Sequence, residues 1–192
     1  MNLFAHFAHV RDRIARAGRD ERGIAAVEFA ILLPFMLTLY IGAVEISQAV
    51  AADRKVTLVA RTVADLAAQA TSISSTDMTN ILTASSAVMY PYPNNKIKVV
   101  LSQVKINADG IATIVWSRHY QSAAYAPNQT VTVPTALKIP NTHLIWGEAE
   151  FEYVPIIGGA PTDLFYKMTG NKTLKDKIYM RPRLSESVSC CT

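Results

Sequence analysis

The 192-residue sequence has only two cysteines, and these are adjacent, Cys190 and Cys191. Two neighbouring cysteines cannot supply the ligands of a zinc site or the crosslinks of a disulfide-rich domain. Charged residues make up 18% of the chain, against about 25% in an average soluble domain. The formal net charge is +4, and no segment has the basic density typical of a nucleic-acid patch. We therefore expect no zinc site, no disulfide framework and no nucleic-acid partner.

The sequence also lacks the motifs of common enzyme classes: G-x-S-x-G, H-E-x-x-H, the P-loop and G-x-G-x-x-G. His6 and His9 are three residues apart without a third ligand nearby, and His119 and His143 are isolated. We therefore expect a protein that is not an enzyme, with no catalytic residues, no metal and no cofactor.

Proline and glycine are scarce between residues 24 and 89, which contain only Pro34 and Gly42. The other eight prolines lie in residues 90–192. Because proline and glycine mark turns, helix is predicted to about residue 89 and turn-rich structure after it. The predicted domains are a basic cytoplasmic leader at 1–23, a transmembrane helix at 24–46, a helical extension with a short second helix at 47–89 and an exported β-rich domain at 90–192.

A long apolar run follows the leader. The segment from Phe29 to Val44 contains no charged residue, and with the residues from Ile24 onward the stretch approaches the ~20 residues that a bilayer-spanning helix needs. Five arginines precede it within residues 1–23, so the positive-inside rule places the leader in the cytoplasm and the C-terminal part outside. The alternative is a buried helix of a soluble domain.

The apolar pattern continues past the predicted membrane segment in steps of three and four, which indicates one helix from Ile24 to Ala70. The stripe consists of Gly42, Glu45, Ala49, Ala52, Val56, Val59, Val63, Leu66 and Ala70. Small side chains at Gly42, Ala49 and Ala52 would let a neighbouring helix approach closely. Alternatively, the part from residue 56 to residue 70 packs only on its own domain.

The C-terminal part has strand patterns. The segments 97–106 and 111–119 alternate apolar and polar residues around an Asp-Gly turn, which predicts a β-hairpin. Further strands are predicted at 148–154 and 177–184, and a short helix at 78–89. In the first of these strands, Glu148, Glu150 and Glu152 are expected to form a solvated face. The predicted class is α+β, with a long N-terminal helix followed by a mainly antiparallel sheet.

The boundary at Gly23 joins a charged leader to the apolar helix, and Glu28 follows five residues later. An unhindered glycine backbone at a membrane surface suits a protease, whereas a carboxylate within a membrane is costly and usually functional. Cleavage after Gly23 would give Ile24 a cationic α-amine. That amine could neutralise Glu28 of its own helix, four residues on, or Glu28 of an adjacent subunit.

The pattern Gly-x-x-x-x-Glu-Phe, from Gly23 to Phe29, resembles the processing site of type IV prepilins. The fuller stretch RGIAAVEFAILLPFML, residues 22–37, resembles TadE-like proteins, the pseudopilins of the Tad (Flp, type IVb) pilus system. Weaker resemblances are VADLAAQATSI, EFEYVPIIG and YMRPRLSESV. The resemblance implies a pilin-like fold and a minor subunit or assembly factor of an adhesive pilus.

The resemblance also implies how the chain is handled. A membrane prepilin peptidase would cut between Gly23 and Ile24, and Glu28 with Phe29 would act in processing or subunit docking. Implied partners are other pilins or pseudopilins, inner-membrane pilus assembly proteins and membrane lipid. The implied location is the bacterial inner membrane, with one span, a cytoplasmic N-terminus, a periplasmic C-terminal domain and possible incorporation into the pilus.

Two other interpretations of the sequence compete with a role in a pilus. Ala49-Val50-Ala51 matches an A-x-A signal peptidase pattern after an apolar run, and cleavage after Ala51 would release a secreted domain. The second is an unprocessed single-pass anchor that holds an extracytoplasmic binding domain. In an oxidising compartment, Cys190 and Cys191 could form a disulfide with each other or with another chain; two reduced thiols in a disordered tail are the alternative that the sequence slightly favours.

Overall fold

The computed structural model of the protein describes residues 21–155 and 172–191, with side chains from Gly23 onward. Its elements are α1 (Glu21–Ala68), β1 (Ser72–Ile73), α2 (Ser75–Val88), β2 (Ile97–Ile106), β3 (Ala112–Tyr120), β4 (Thr130–Val131), β5 (Thr142–Tyr153), β6 (Lys172–Met180) and β7 (Ser189–Cys190). The predicted α+β class is confirmed. The predicted leader, 1–23, lies outside the described residues except for its last three.

Helix α1 is a single long helix, as predicted. From Gly23 it is long and apolar enough to cross a membrane, and it is the one such helix among the described residues. Pro34 lies inside it and lacks the N–H that would donate to the preceding turn. One turn later, the Thr38 hydroxyl donates to the Pro34 carbonyl oxygen at 2.8 Å. The chain forms two compact units that meet between Ile46 and Ser47.

The larger sheet has five antiparallel strands in the order β4-β3-β2-β5-β6. The predicted hairpin is confirmed as β2 and β3. In its turn, Gly110 has a φ of 77°, which favours glycine, and the Asn107 side chain accepts a hydrogen bond from the Ile111 amide at 2.8 Å. Strand β5 begins six residues before its predicted start at Glu148, and β6 begins five residues before its predicted start at Lys177.

A bulge in β3 places two of its apolar side chains on opposite faces of the sheet. Gln103 pairs with Trp116, but the next residue, Val104, pairs with Ile114, so Val115 is the extra residue. Because side chains alternate along a strand, the bulge moves Trp116 to the face opposite Ile114. Trp116 therefore joins the main core, whereas Ile114 joins a smaller cluster with Val104.

One face of α1 packs on the main core. Its fully buried residues are Ala52, Val56, Val59, Ala60, Val63, Ala64, Ala67 and Ala68. The predicted stripe was wrong at Leu66, which is 41% exposed. A strict three-four alternation has a period of 3.5, whereas a straight helix has 3.6 and drifts by ~20° per heptad. The drift replaces Leu66 by Ala67 on the buried face.

The residues after β6 close the far end of α1. The Arg183 amide donates to the Ala68 carbonyl oxygen at 2.8 Å, which gives a partner to one of the free carbonyls of the last helical turn. The Arg183 side chain also pairs with Asp65. Strand β7 then pairs in parallel with β1, with Ser189 opposite Ser72.

Gln103 anchors the same C-terminal segment to the sheet. Its side chain is buried, and its Oε1 accepts hydrogen bonds from the Val188 amide at 2.9 Å and from Trp116 Nε1 at 3.1 Å. Trp116 Nε1 also donates to the Val188 carbonyl oxygen at 2.8 Å. A buried amide without such a partner would be destabilising, so Gln103 and Trp116 together satisfy the backbone of Val188.

Gly147 of β5 lies directly under α1. A Cβ at this position would be 2.5 Å from the Ala60 carbonyl oxygen and 3.0 Å from the Ala64 Cβ. Because the obstacle is helix backbone, it cannot move aside as a flexible side chain could. We expect Gly147→Ala to lower the free energy of unfolding by about 1–3 kcal/mol. The measurement is denaturant unfolding of the full chain in detergent, with the near-UV circular dichroism of the tryptophans as the signal.

The matched control for this prediction is Gly23→Ala. It makes the same chemical change in a place where a new Cβ meets nothing within 4 Å, so it should leave unfolding of the sheet unchanged. An unfolding midpoint of Gly147→Ala equal to that of the wild type would contradict the close contact.

Candidate processing and docking segment

The Gly23–Ile24 bond lies on the surface of α1. The side chain of Ile24 is 67% exposed, and nothing would crowd a Cβ at Gly23. The backbone there is helical, whereas proteases bind extended chain, so cleavage would require local unwinding. Glycine favours that unwinding, because it is less stable than alanine in a helix by about 1 kcal/mol.

Glu28 and Phe29 lie one turn further along the same exposed segment. Glu28 is exposed and Phe29 is 60% exposed. Residues four apart are neighbours on a helix surface, so a new amine on Ile24 would lie beside the Glu28 carboxylate. Ile24 and Glu28 therefore lie on one exposed side of the helix.

The remaining apolar side chains of this segment are also exposed. Between Ile24 and Tyr40, the large hydrophobic residues are 38–69% exposed. Such a continuous apolar surface is not stable in water, but it suits a lipid environment. One N-terminal apolar helix could therefore anchor the protein in a membrane.

The three small residues predicted to receive a neighbouring helix differ in exposure. Gly42 and Ala49 are half-buried, whereas Ala52 is fully buried in the main core. Ala52 thus belongs to the face that packs on its own sheet. This burial favours the alternative in which the lower part of the stripe is covered by its own domain.

The acidic residues of β5 do not form the solvated face that the sequence predicted. Glu148 is buried, with 5% exposure. Lys175 Nζ lies 2.5 Å from its Oε1, and the Tyr125 hydroxyl donates to its Oε2 at 2.9 Å. The prediction was wrong at Glu148 because the segment between β3 and β4, residues 121–129, places Tyr125 over this carboxylate. We call residues 121–129 the covering segment. No local pattern in β5 indicates that this segment lies there. Glu152 is exposed, as predicted.

Tyr125 links the covering segment to the sheet. Its ring stacks on Trp146 with 4.9 Å between centroids, and Trp146 stacks in turn on Tyr179 at 5.7 Å. The backbone amide of Tyr125 donates to the Ser117 hydroxyl at 3.2 Å. Burial and the hydrogen bond to Glu148 raise the pKa of Tyr125 to about 12.

The lysines around this cluster are paired. Lys98 Nζ lies 3.1 Å from Glu150 Oε1. This hydrogen bond lowers the pKa of the Glu150 carboxyl group. The hydrogen bond to Glu148 raises the pKa of Lys175. Within residues 21–155 and 172–191, no three His, Cys, Asp or Glu side chains come together as a metal site would require.

The two cysteines lie at the C-terminal end of the segment that pairs with β1. In the structure Cys190 and Cys191 are joined to each other as a disulfide. Cys190 belongs to β7, and the Cys191 amide donates to the Ile73 carbonyl oxygen at 2.8 Å. The described tail is thus ordered by backbone pairing with β1, which differs from the disordered tail that the sequence favoured.

These features define an α+β protein with a single apolar helix that could anchor it in a membrane and a sheet packed on the continuation of that helix. Residues 23–65 match the family model described as TadE-like protein, which confirms the family resemblance over this part of the chain. The match begins at Gly23, and it includes Glu28 and much of the buried face of α1. Comparison with curated proteins and with solved structures gave no match.

The raised pKa of Tyr125 gives a test of the covering segment. A folded pKa of about 12, above the ordinary 10.0, means that the stabilisation by Tyr125 is complete below pH 10 and is lost as the pH rises toward 12. We expect the tyrosinate absorbance of the wild type minus that of Tyr125→Phe to titrate near pH 12. A difference midpoint near pH 10 would contradict the buried contact with Glu148.

Proposed function

We propose that this protein is a pseudopilin-like structural or assembly component of a Tad pilus, matured by a prepilin peptidase that cuts after Gly23. The observation that carries the proposal is the TadE-like match over residues 23–65, which begins at the residue before the proposed cut. The exposed apolar segment that follows supports storage of the subunit in the inner membrane, with its C-terminal domain in the periplasm.

The physical role proposed for Glu28 follows from its place on the helix. Cleavage turns the amide nitrogen of Ile24 into a charged amine one turn from the carboxylate. In a low-dielectric membrane two opposite charges attract strongly, and each reduces the cost of burying the other. The amine therefore pairs with Glu28 of its own helix or with Glu28 of an adjacent pilin or pseudopilin. Phe29, beside Glu28, supplies an apolar contact for the same docking step.

The family match supports Gly23 over Ala51 as the cleavage site. Cleavage after Ala51 would remove Gly23, Glu28 and more than half of the segment that matches the family model. The bond after Gly23 leads into the exposed Ile24. An unprocessed anchor for a binding domain shares the same topology, but it assigns no task to Gly23 or Glu28.

The start of the mature chain tests the proposed processing. We expect intact mass and N-terminal sequencing of the protein from native membranes to give Ile24 as the first residue, and Gly23→Val to accumulate uncut. A β-branched side chain at this position stiffens the helix and adds bulk beside the bond.

The matched control is Gly42→Val, the same change at a glycine far from the bond, which should be cut normally. A wild-type start at Ala52 would contradict the proposal and favour secretion; an uncut wild type in cells that contain the peptidase would favour the plain anchor.

Removing the charge of Glu28 tests its role. We expect Glu28→Gln to leave the exported sheet folded, because Glu28 lies outside the main core, but to reduce processing or piliation. Glu28→Asp keeps the charge and should retain a larger share of both. The measurements are the processed fraction on immunoblots and the number of pili per cell. Normal processing together with normal piliation in Glu28→Gln would contradict the assigned role.

A further inference from the structure

The segment that joins α2 to β2 carries one exposed tyrosine, Tyr90, and one half-buried tyrosine, Tyr92. Its sequence from Tyr90 to Lys96 is YPYPNNK, in which the only charge is the lysine. Tyr90 is 79% exposed, so its ring is left largely uncovered by the part of the chain that the structure describes. Below we call residues 90–96 the tyrosine loop.

Two hydrogen bonds fix the tyrosine loop along α1. The Tyr92 hydroxyl lies 3.1 Å from the Gln48 carbonyl oxygen and 3.2 Å from its side-chain Oε1. Just before the loop, Lys55 Nζ donates to the Val88 carbonyl oxygen at 3.1 Å. Gln48 and Lys55 are seven residues apart on the helix, or about 10 Å at 1.5 Å per residue. From Val88 to Tyr92 the chain therefore runs along α1 in the direction from Lys55 to Gln48.

The level of Gln48 can be estimated from the length of a membrane-spanning helix. This step rests on the proposed membrane topology. A helix that enters the hydrocarbon at Ile24 leaves it after ~20 residues, near Val44. Gln48 follows four residues later, which is at most about 14 Å of chain. The headgroup region on each side of the bilayer core is about 5–7 Å thick, so the bond from Tyr92 to Gln48 keeps the tyrosine loop close to the headgroups.

The composition of the loop suits that level. Tyrosine places an apolar ring among acyl chains and its hydroxyl among headgroups, and it is enriched at membrane interfaces for that reason. Lysine is attracted to lipid phosphates. A cavity of about 340 Å³ adjoins the loop, and the aromatic side chains of Tyr92, Phe151 and Tyr153 contribute to its lining. We propose that the tyrosine loop binds phospholipid on the periplasmic leaflet and fixes the exported domain at the membrane surface.

Site-specific fluorescence quenching tests the proposal. The full chain is reconstituted in vesicles of phosphatidylethanolamine and phosphatidylglycerol in which some lipids are brominated near the glycerol end of their acyl chains. We expect the added emission of Tyr90→Trp, after subtraction of the wild-type signal, to fall at least about twofold with brominated lipid, because contact with the bromine atoms quenches tryptophan and the interface holds aromatic rings at this depth.

Ile111→Trp is the matched control. Ile111 is 47% exposed and follows the far end of β2, about 30 Å from the tyrosine loop at 3.3 Å per strand residue. The added emission of Ile111→Trp should be the same with brominated and with unbrominated lipid. Far-UV circular dichroism, which reports the backbone and not the added tryptophan, checks that both variants keep the wild-type fold.

Flotation of the same vesicles measures membrane binding of the whole chain independently of the loop contact. A chain that floats with lipid, but whose Tyr90→Trp emission is not quenched, overturns the lipid contact and leaves the proposed function intact. Equal quenching at Tyr90→Trp and Ile111→Trp overturns the assignment to the tyrosine loop. A chain that does not float with lipid overturns the membrane span, and the proposed function fails together with this inference.

Discussion

The fold depends on the contact between α1 and the sheet at Gly147, where the helix backbone comes close enough to exclude even a methyl group. Alanines such as Ala60 and Ala64 make this approach possible on the helix side. The bulge at Val115 then turns Trp116 toward the same core. A larger residue at Gly147, Ala60 or Ala64 would push the helix away from the sheet and weaken the packing of the core between them.

The two parts of α1 meet different surroundings, and their side chains differ accordingly. From Ile24 to Tyr40 the large apolar residues are exposed, whereas from Ala52 to Ala68 small and β-branched residues are buried on one face. The TadE-like match spans both parts. A single helix thus combines a segment that could enter a membrane with a segment that forms half of the main core.

The sequence predicted those features that depend on local periodicity. The length of α1 and the hairpin of β2 and β3 follow from repeats of 3.6 and 2 residues. Features that depend on distant residues were not predicted. Glu148 is covered by Tyr125 from another part of the chain, and Val188, just before β7, is held by Gln103. At the candidate site, Gly23 and Glu28 were identifiable because their spacing is local, although their role stays a prediction.

The closure of α1 by Arg183 has a consequence for the timing of folding. Asp65 and Arg183, which form an ion pair, are 118 positions apart in the sequence. The Ala68 carbonyl oxygen accepts its hydrogen bond from the backbone amide of the same arginine. Contacts of such long sequence separation form late. Because Arg183 follows strands β2–β6 in the sequence, synthesis leaves the end of α1 open until nearly the whole chain has been made. A chain that ends before Arg183 would contain every strand of the larger sheet and still lack the bond that closes the helix.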